Sequence, residues 1–261
     1  MTQAPGELRD DKPSVKVSGA MGMSPGADVA GDDPAWLTMR RRFADIYDES
    51  NYAEGLQGFV MRSGHRFSER RFGPAHRFER VLEVGAGTGA HFPYVRHSFR
   101  EYHVTDLDPE ALDVARKRAE TTAHDGTWVF ETQSASGLRY PDQTFDRLVA
   151  THVLEHLYHP HAVLREWRRV VRMGGVISVL LPTDPGLAWR TGRRFGPRRH
   201  ARRLGLDYDY VMAREHVNPL NNLIAFLRHD FPRRTEGWWP WGIPSMDLNL
   251  FFVCHAIVSQ R

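Results

Sequence analysis

The chain has 261 residues, of which 41% are hydrophobic and 26% are charged, and its formal net charge is +3. This length and composition are typical of a globular α/β domain with an appendage, and they exclude a fibrous or wholly disordered chain. The single cysteine, Cys254, excludes an internal disulfide framework, and no apolar run is long enough to cross a bilayer. No charged-then-apolar leader opens the chain, so we expect a cytoplasmic protein without a membrane span.

The N-terminal part of the chain divides into a tail and a helical segment. Residues 1–32 are rich in Gly, Pro, Ser, Asp and Ala and lack apolar periodicity, which predicts a disordered tail. Asp33 followed by Pro34 is a typical helix start, and apolar residues then recur at helical spacing as far as Val60. We therefore predict an N-terminal helical cap at residues 33–77.

From residue 78 onward, apolar strand patterns alternate with helix patterns. The glycine-rich segment after the first strand is predicted to open a helix that runs through His97, and later helices are predicted to begin at Asp108 and Pro160. Strands that alternate with helices predict a doubly wound, mostly parallel sheet with helices on both faces. Five strands are expected in this part of the chain, at residues 80–84, 102–105, 128–130, 146–150 and 176–181.

The alternation breaks after Pro182. Residues 183–230 hold seven arginines between positions 190 and 203, then Tyr208 and Tyr210, then one amphipathic helix. We interpret this segment as an insertion over the ligand edge of the sheet. The remaining residues predict two final strands, which bring the sheet to seven strands in an α/β domain at residues 78–261.

A glycine turn, Gly85-Ala86-Gly87-Thr88-Gly89, follows the first strand. Glycines at such a turn allow backbone N–H groups to approach a bound nucleotide closely. The turn alone also fits a dinucleotide fingerprint, because Asp106 follows Gly85 by 21 residues. Glu83, however, can face a cationic amino group, and we recognise no catalytic residues of a dehydrogenase after the turn. The surrounding residues therefore favour S-adenosylmethionine (SAM) over NAD.

Four segments together resemble the class I (Rossmann-like) SAM-dependent methyltransferases of the small-molecule type. They are Val81–Gly89, Val104–Pro109, Tyr140–Asp146 and Leu164–Gly175, in family order and with family spacing. The resemblance implies a Rossmann-like fold, SAM as the cofactor and S-adenosylhomocysteine (SAH) as its product.

The cofactor-binding residues that follow from this reading surround the glycine turn. Asp106 is placed to accept the ribose hydroxyls and Leu107 to cover the adenine, while Ser134 stands where many relatives have an acidic residue. A neutral hydrogen bond there predicts somewhat weaker cofactor binding. The complete set of cofactor-binding residues is Glu83, Gly85, Ala86, Gly87, Gly89, Asp106, Leu107, Ser134, Ala135 and Thr151.

A cluster of titratable residues, His152, Glu155 and His156, follows the fourth predicted strand. On a helix, the two histidines would share a face at metal-ligand spacing, as in an inverted metalloprotease motif. The family resemblance instead places them where acceptor and cofactor meet, with a divalent metal site or a purely structural role as open alternatives. Methyl transfer to a hydroxyl or an ammonium needs a base, and His152 is the first candidate and His216 the second.

The acceptor pocket is expected between the N-terminal helices and the insertion, with Tyr47, Tyr52 and His156 as substrate residues. The arginines at 190–203 could clamp a carboxylate or phosphate of an anionic acceptor, or form a solvated helix face. The leading hypothesis is an O- or N-methyltransferase of small-molecule biosynthesis. An RNA methyltransferase and a non-catalytic SAM-binding protein are the alternatives, although a nucleic-acid partner is not expected.

Overall fold

A computed structural model describes residues 55–195 and 197–260, together with Trp36, Met39 and Arg42. Seven strands form one sheet in the order β3-β2-β1-β4-β5-β7-β6. Strands β1 to β5 are mutually parallel, and β7 runs antiparallel to both β5 and β6. This confirms the predicted doubly wound, mostly parallel sheet. The strands are β1 Arg77–Val84, β2 Ser98–Asp106, β3 Thr127–Thr132, β4 Phe145–Thr151, β5 Val171–Pro182, β6 Arg234–Trp239 and β7 Phe251–Ile257.

Most helices begin where the sequence carries a start signal. The side chain of Asp108 accepts hydrogen bonds from the backbone N–H groups of Glu110 and Ala111, and Pro109 occupies the first turn. Within the described ranges, every helix is too short or too polar to cross a bilayer. The helices are α1 Leu56–Glu69, α2 Pro109–Ala119, α3 Pro160–Val170, α4 Leu187–Phe195, α5 Pro197–Arg203, α6 Tyr208–Glu215 and α7 Leu220–Asp230.

Both faces of the sheet are buried, because alternate residues of each strand enter different cores. On one face, Leu82 and Leu148 pack with Trp167 of α3 and with the apolar side of α7. On the other face, Val81 and Val149 pack with residues of α2. The sheet thus forms the middle layer of the domain, and its carboxyl edge is free to carry a site.

The helix predicted to follow the glycine turn through His97 is wrong. The structure has only a short 3-10 turn at Phe92–Tyr94, and β2 begins at Ser98. Only residues 90–97 separate the turn from β2, and Pro93 lacks a backbone N–H, so a full helix and its return do not fit in this space. The backbone N–H groups of the turn therefore lack the dipole of a long helix behind them.

The space next to this short crossover holds a buried ion pair. Arg147, fully buried on β4, donates hydrogen bonds to both carboxylate oxygens of Glu69, the last residue of α1. His91 Nε2 donates to the same carboxylate at 3.1 Å, and Arg147 Nε donates to Ser178 Oγ at 3.3 Å. Although burial alone would raise the pKa of Glu69, Arg147 and His91 hold it far below its ordinary value. The N-terminal helix is thereby tied to the sheet.

Helices α4, α5 and α6, which we call the cap helices, follow β5 as predicted for an insertion. Residues of α5 and α6 form a small core of their own with Trp36 and Met39 of the N-terminal segment. Helix α7 instead packs in the main core beside α3. The proposed division of the chain at residues 33, 78, 183 and 230 stays a prediction.

Candidate active site

The carboxyl ends of the central strands bring the predicted cofactor residues to one edge of the sheet. Val84 at the end of β1 pairs with Thr105 of β2 on one side and with Ala150 of β4 on the other. The end of β3 is attached to the same edge, because the N–H of Gln133 donates to the carbonyl of Asp106 at 3.0 Å. The glycine turn, Asp106, Ser134 and Thr151 therefore lie around one place.

The glycine turn adopts positive φ angles that residues with a Cβ atom rarely adopt. Gly85, Gly87 and Gly89 have φ angles of 62°, 52° and 73°. A Cβ atom on Gly85 would lie 2.6 Å from a methyl carbon of Val153, in the loop after β4. The N–H of Ala86 donates to the carbonyl of Thr105 at 3.1 Å. The turn thus packs closely against the loops that follow β2 and β4.

Asp106 is buried at the end of β2 and is bonded to the glycine turn itself. Its Oδ2 accepts from the N–H of Gly87 at 2.8 Å, and its Oδ1 accepts from the N–H of Asp108 at 3.0 Å. Burial raises the pKa of Asp106 above its ordinary value, against the effect of these two hydrogen bonds. Each carboxylate oxygen has a second lone pair, which suits a ligand hydroxyl. Leu107, half-buried, follows directly.

Glu83 is 1% exposed and only partly satisfied. Its Oε2 accepts from the hydroxyl of Tyr102 at 2.6 Å, whereas its Oε1 is buried without a hydrogen-bond partner in the part of the chain that the structure describes. Burial raises the pKa of this carboxyl group. A buried carboxylate oxygen without a partner is costly, so a cationic donor would stabilise it. The residues present therefore fit SAM, and the contacts of Glu83 with its amino group and of Asp106 with its ribose stay predictions.

The segment after β3 forms a tight turn. Ser134 Oγ lies 2.9 Å from Ser136 Oγ and also accepts from the N–H of Ser136. Ala135 is buried, and its carbonyl accepts from Nε1 of Trp167 at 2.8 Å. Thr151, the last residue of β4, is half-buried. Their contacts with the cofactor stay predictions.

His152 and His156 do not lie on a helix. His152 follows β4 with a φ of 59°, and Leu154–His156 is a single 3-10 turn. The helical i, i+4 spacing behind the metalloprotease interpretation is therefore wrong, because the chain leaves a strand here and α3 begins only at Pro160. Among the described residues, no group of three or more His, Cys, Asp or Glu side chains could hold a metal ion.

His152 instead pairs with Glu155. Its Nδ1 lies 3.4 Å from Glu155 Oε1, and its Nε2 is buried with no hydrogen-bond partner within the described ranges. The imidazole packs edge-on against His65 and against Phe251. Although burial alone would raise the pKa of Glu155, its contact with His152 and the neighbouring imidazoles bring it below its ordinary value. The contact is an ion-pair distance and not a hydrogen bond, since both oxygens of Glu155 lack a hydrogen-bond partner among the described residues. A carboxylate beside Nδ1 favours the tautomer in which Nε2 accepts a proton.

His216, at the end of α6, repeats this arrangement. Its Nδ1 donates to Asp184 Oδ2 at 2.9 Å, and its Nε2 is buried without a partner among the residues described. Its ring meets that of His156 edge-on, with the centroids 4.9 Å apart. His156 donates from Nδ1 to the carbonyl of Glu215 at 2.8 Å, and burial lowers its pKa to about 4. His156 thus packs against the second candidate base, His216.

Some residues of this region were not found by sequence reasoning. Tyr102 on β2 bonds to Glu83, and Asp184 holds His216. His65 of α1 donates from Nδ1 to His91 at 3.1 Å beside His152, because His91 Nε2 is already the donor to Glu69. Of these residues, only Asp184 carried a signal in the sequence, because an Asp in the loop after a strand, here β5, is a common site residue. The predicted substrate residues Tyr47 and Tyr52 lie outside the described residues.

Residues 82–179 match a family model described as a methyltransferase domain. The chain is 34% identical over 116 residues to a phosphatidylethanolamine N-methyltransferase of Cereibacter sphaeroides, across 43% of this chain and 57% of that protein. It is 29% identical over 161 residues to the 27-O-demethylrifamycin SV methyltransferase of Amycolatopsis mediterranei, across 56% of this chain and 58% of that one. The chain therefore spans less than two thirds of the length of these curated relatives.

Solved structures share the architecture. The N-methyltransferase NodS of Bradyrhizobium japonicum, crystallised with SAH, is 16% identical with a TM-score of 0.56, across 86% of this chain and 98% of that one. The CurJ carbon methyltransferase is 17% identical with a TM-score of 0.59, across 88% of this chain and 62% of that one. At these identities the likeness shows the fold. Taken with the matching family model and the seven-stranded sheet, it shows that the chain contains a methyltransferase domain of the class I SAM-dependent type, whose cofactor is SAM.

Proposed function

We propose that the chain transfers the methyl group of SAM to an oxygen or nitrogen nucleophile of a small-molecule acceptor, in a cytoplasmic biosynthetic pathway. The observation that carries this proposal is the His152–Glu155 pair, which lies directly after β4 beside the glycine turn. Relatives named for rifamycin and ajmaline methylation support small-molecule acceptors with O and N nucleophiles.

Methyl transfer to a hydroxyl or ammonium requires an aligned acceptor and cofactor, a site that excludes water, and one general base. Bound SAM supplies a methyl group on a sulfonium that needs no further activation. Glu83 and Asp106 hold the cofactor in this proposal, and the buried surroundings of the edge exclude water. His152 Nε2 removes the proton of a hydroxyl or ammonium acceptor, and Glu155 stabilises the imidazolium that results.

His216 is the second base in this proposal. It has the same unpartnered Nε2, but it lies on the cap side of His156. An acceptor that enters between the cap helices and the sheet would meet His216 before His152. We therefore assign His216 and His156 to the acceptor side of the site, and His152 to the proton transfer.

The proposal is tested in two steps on the full chain. Isothermal titration with SAM and SAH measures cofactor binding, and a labelled-methyl assay then compares a small-molecule extract with total RNA. We expect binding of both ligands and labelled product in the small-molecule fraction. Labelled RNA without a labelled small molecule would replace the proposal by RNA methylation. Binding without any transfer would indicate a non-catalytic SAM-binding protein.

A further inference from the structure

A cleft under the cap helices extends outward from His216, the residue assigned above to the acceptor side of the site. It is a cavity of about 510 Å³ between α4 and α6, beyond the end of β5. Its lining includes Asp184, Tyr208 and His216, together with the arginines 190, 193, 194 and 198. A second cavity of about 580 Å³ shares Arg194 and Arg198 with the first. The cap therefore holds a concave surface lined by guanidinium groups.

The arginines of this cleft fall into two groups by their partners. Arg193 donates to Asp184 Oδ2 at 2.6 Å and to the hydroxyl of Tyr208 at 3.0 Å, and Arg198 pairs with Asp209. Arg190 and Arg194 have no carboxylate within 4.0 Å in the described part of the chain. Two guanidinium groups without a carboxylate partner among the described residues thus face the same cavity, whose carboxylates Asp184 and Asp209 are paired with Arg193 and Arg198.

The sequence around these arginines offers few carboxylates to pair with them. Residues 185–206 contain seven arginines and no Asp or Glu. A solvated helix usually carries both signs of charge, because like charges three or four residues apart destabilise it. Arg190 and Arg194 stand four apart on α4, both exposed, so a bound anion would reduce the repulsion between them.

The cleft also contains a buried polar group without a partner. The side chain of His216 is 7% exposed and lines the cavity, and its Nε2 has no hydrogen-bond partner among the residues that the structure describes. The ring of His216 contacts His156, which follows Glu155 directly. A ligand held by the arginines would therefore reach toward the end of the sheet that carries His152.

We propose that this cleft binds a phosphate monoester group of the methyl acceptor. Arg190 and Arg194 provide two guanidinium forks for one dianionic group, since a guanidinium binds phosphate oxygens through paired N–H donors. Arg193, fixed by Asp184, shapes the wall, and the remainder of the acceptor extends toward His216. This inference rests on the proposed transfer to a small molecule.

The test uses the full chain saturated with SAH, titrated with glycerol phosphate and, in a separate arm, with phosphatidylcholine vesicles that contain phosphatidic acid. The variant R190Q/R194Q removes the two guanidinium charges that have no carboxylate partner among the described residues, both at exposed positions. The matched control is R203Q, which lies on the same segment and lines neither cavity. We expect at least tenfold weaker phosphate binding for R190Q/R194Q and unchanged binding for R203Q.

The two arms distinguish a soluble phosphate from a lipid phosphate, and the SAH measurement distinguishes a failure of the cleft from a failure of the cofactor site. Arginine-dependent binding of glycerol phosphate, or of the vesicles, supports the proposal and names a soluble or a lipid acceptor. Equal phosphate affinity of R190Q/R194Q and the unchanged chain overturns it, as does tight arginine-dependent binding of labelled RNA in place of both probes. SAH binding is measured first in each sample, so a failure of the cofactor site is recognised independently of the cleft.

Discussion

The carboxylate of Glu83 is held between one hydrogen bond and one open position. Its Oε2 accepts a hydrogen bond from Tyr102, and its Oε1 is buried without a hydrogen-bond partner among the described residues. Replacing Glu83 by Gln removes the charge at nearly constant volume. We expect SAM affinity, measured by isothermal titration, to fall about tenfold to a hundredfold, because hydrogen bonds to charged groups contribute about 1.5–3 kcal/mol.

The matched control for Glu83→Gln is Glu79→Gln. Glu79 lies on the same strand with its side chain 58% exposed, far from the carboxyl edge. Its replacement should leave SAM affinity unchanged. If both variants bound SAM as tightly as the unchanged chain, the amino-group assignment of Glu83 would be wrong.

His152 provides the second test at the scale of one residue. His152→Gln keeps a polar side chain but removes the base, so turnover on the identified acceptor should fall by about 10²–10⁴-fold. SAH affinity should not change, because the proposed function assigns His152 to the acceptor and not to the cofactor. His229→Gln, at an exposed histidine of α7, is the matched control. Intact turnover of His152→Gln at neutral pH contradicts the assignment of the base.

Sequence reasoning predicted which residues lie at the carboxyl edge of the sheet when they stand within a few positions of a recognisable strand end. Glu83 and Asp106 are of this kind, because the glycine turn and the next strand mark them. Asp184 and His65 are not, since their partners lie more than 20 residues away along the chain. Such pairs depend on how the cap helices and α1 pack over the sheet, and a local sequence pattern does not predict these long-range contacts.

At the scale of elements, the turn after β1 shows how a motif can predict a site and mispredict a helix. The glycines were expected to lead into a helix, and their positive φ angles agree with the motif. The helix is absent because the crossover to β2 is too short and contains Pro93, whereas Phe92 is buried in the core. Buried strands, by contrast, are apolar runs, so their positions were predictable.

Gly85→Ala tests whether the turn depends on glycine geometry. The left-handed φ costs about 1–2 kcal/mol for a residue with a Cβ, and the added atom would collide with Val153. We expect a lower free energy of unfolding in urea, together with weaker SAM binding. Because Val153 is buried in the core, the double variant Gly85→Ala/Val153→Ala is compared with Val153→Ala alone, and this comparison should recover only the part that is due to the collision.

Gly192→Ala is the matched control for this experiment. Gly192 lies on α4, and a Cβ atom there would meet no atom within 4 Å. Alanine in a helix is more favourable than glycine by up to about 1 kcal/mol, so stability should be unchanged or slightly higher. A Gly85→Ala variant as stable as Gly192→Ala would mean that the turn tolerates a side chain.

At the scale of the whole molecule, the described structure holds four buried histidines whose pKa values lie below the ordinary value of 6.5. Burial is the largest cause for each of them. The pKa of His156 falls to about 4, and those of His97 and His255 fall to about 3. The pKa of His65 is also well below 6.5, with His91 and His152 as further causes. The folded chain thus carries these imidazoles neutral where the unfolded chain would protonate them.

This difference makes the stability of the fold depend on pH in a defined direction. Below pH 6.5 the unfolded state binds more protons than the folded state, so the free energy of unfolding decreases as the pH falls from 6.5 toward 4. Each such histidine contributes a slope of up to about 1.4 kcal/mol per pH unit in this window. Well above pH 6.5 these groups contribute no slope, because both states hold them neutral.

Urea unfolding at a series of pH values between 5 and 8 measures this slope. His97 is the position to change, since its ring lies among Phe78 and Phe99 and its Nε2 is buried without a partner within the described ranges. His97→Phe should reduce the slope below pH 6.5 by about one proton, whatever it does to the stability at pH 8. The exposed His229→Gln should leave the slope unchanged. A slope that stays the same in His97→Phe would show that His97 is protonated to the same extent in the folded and unfolded states.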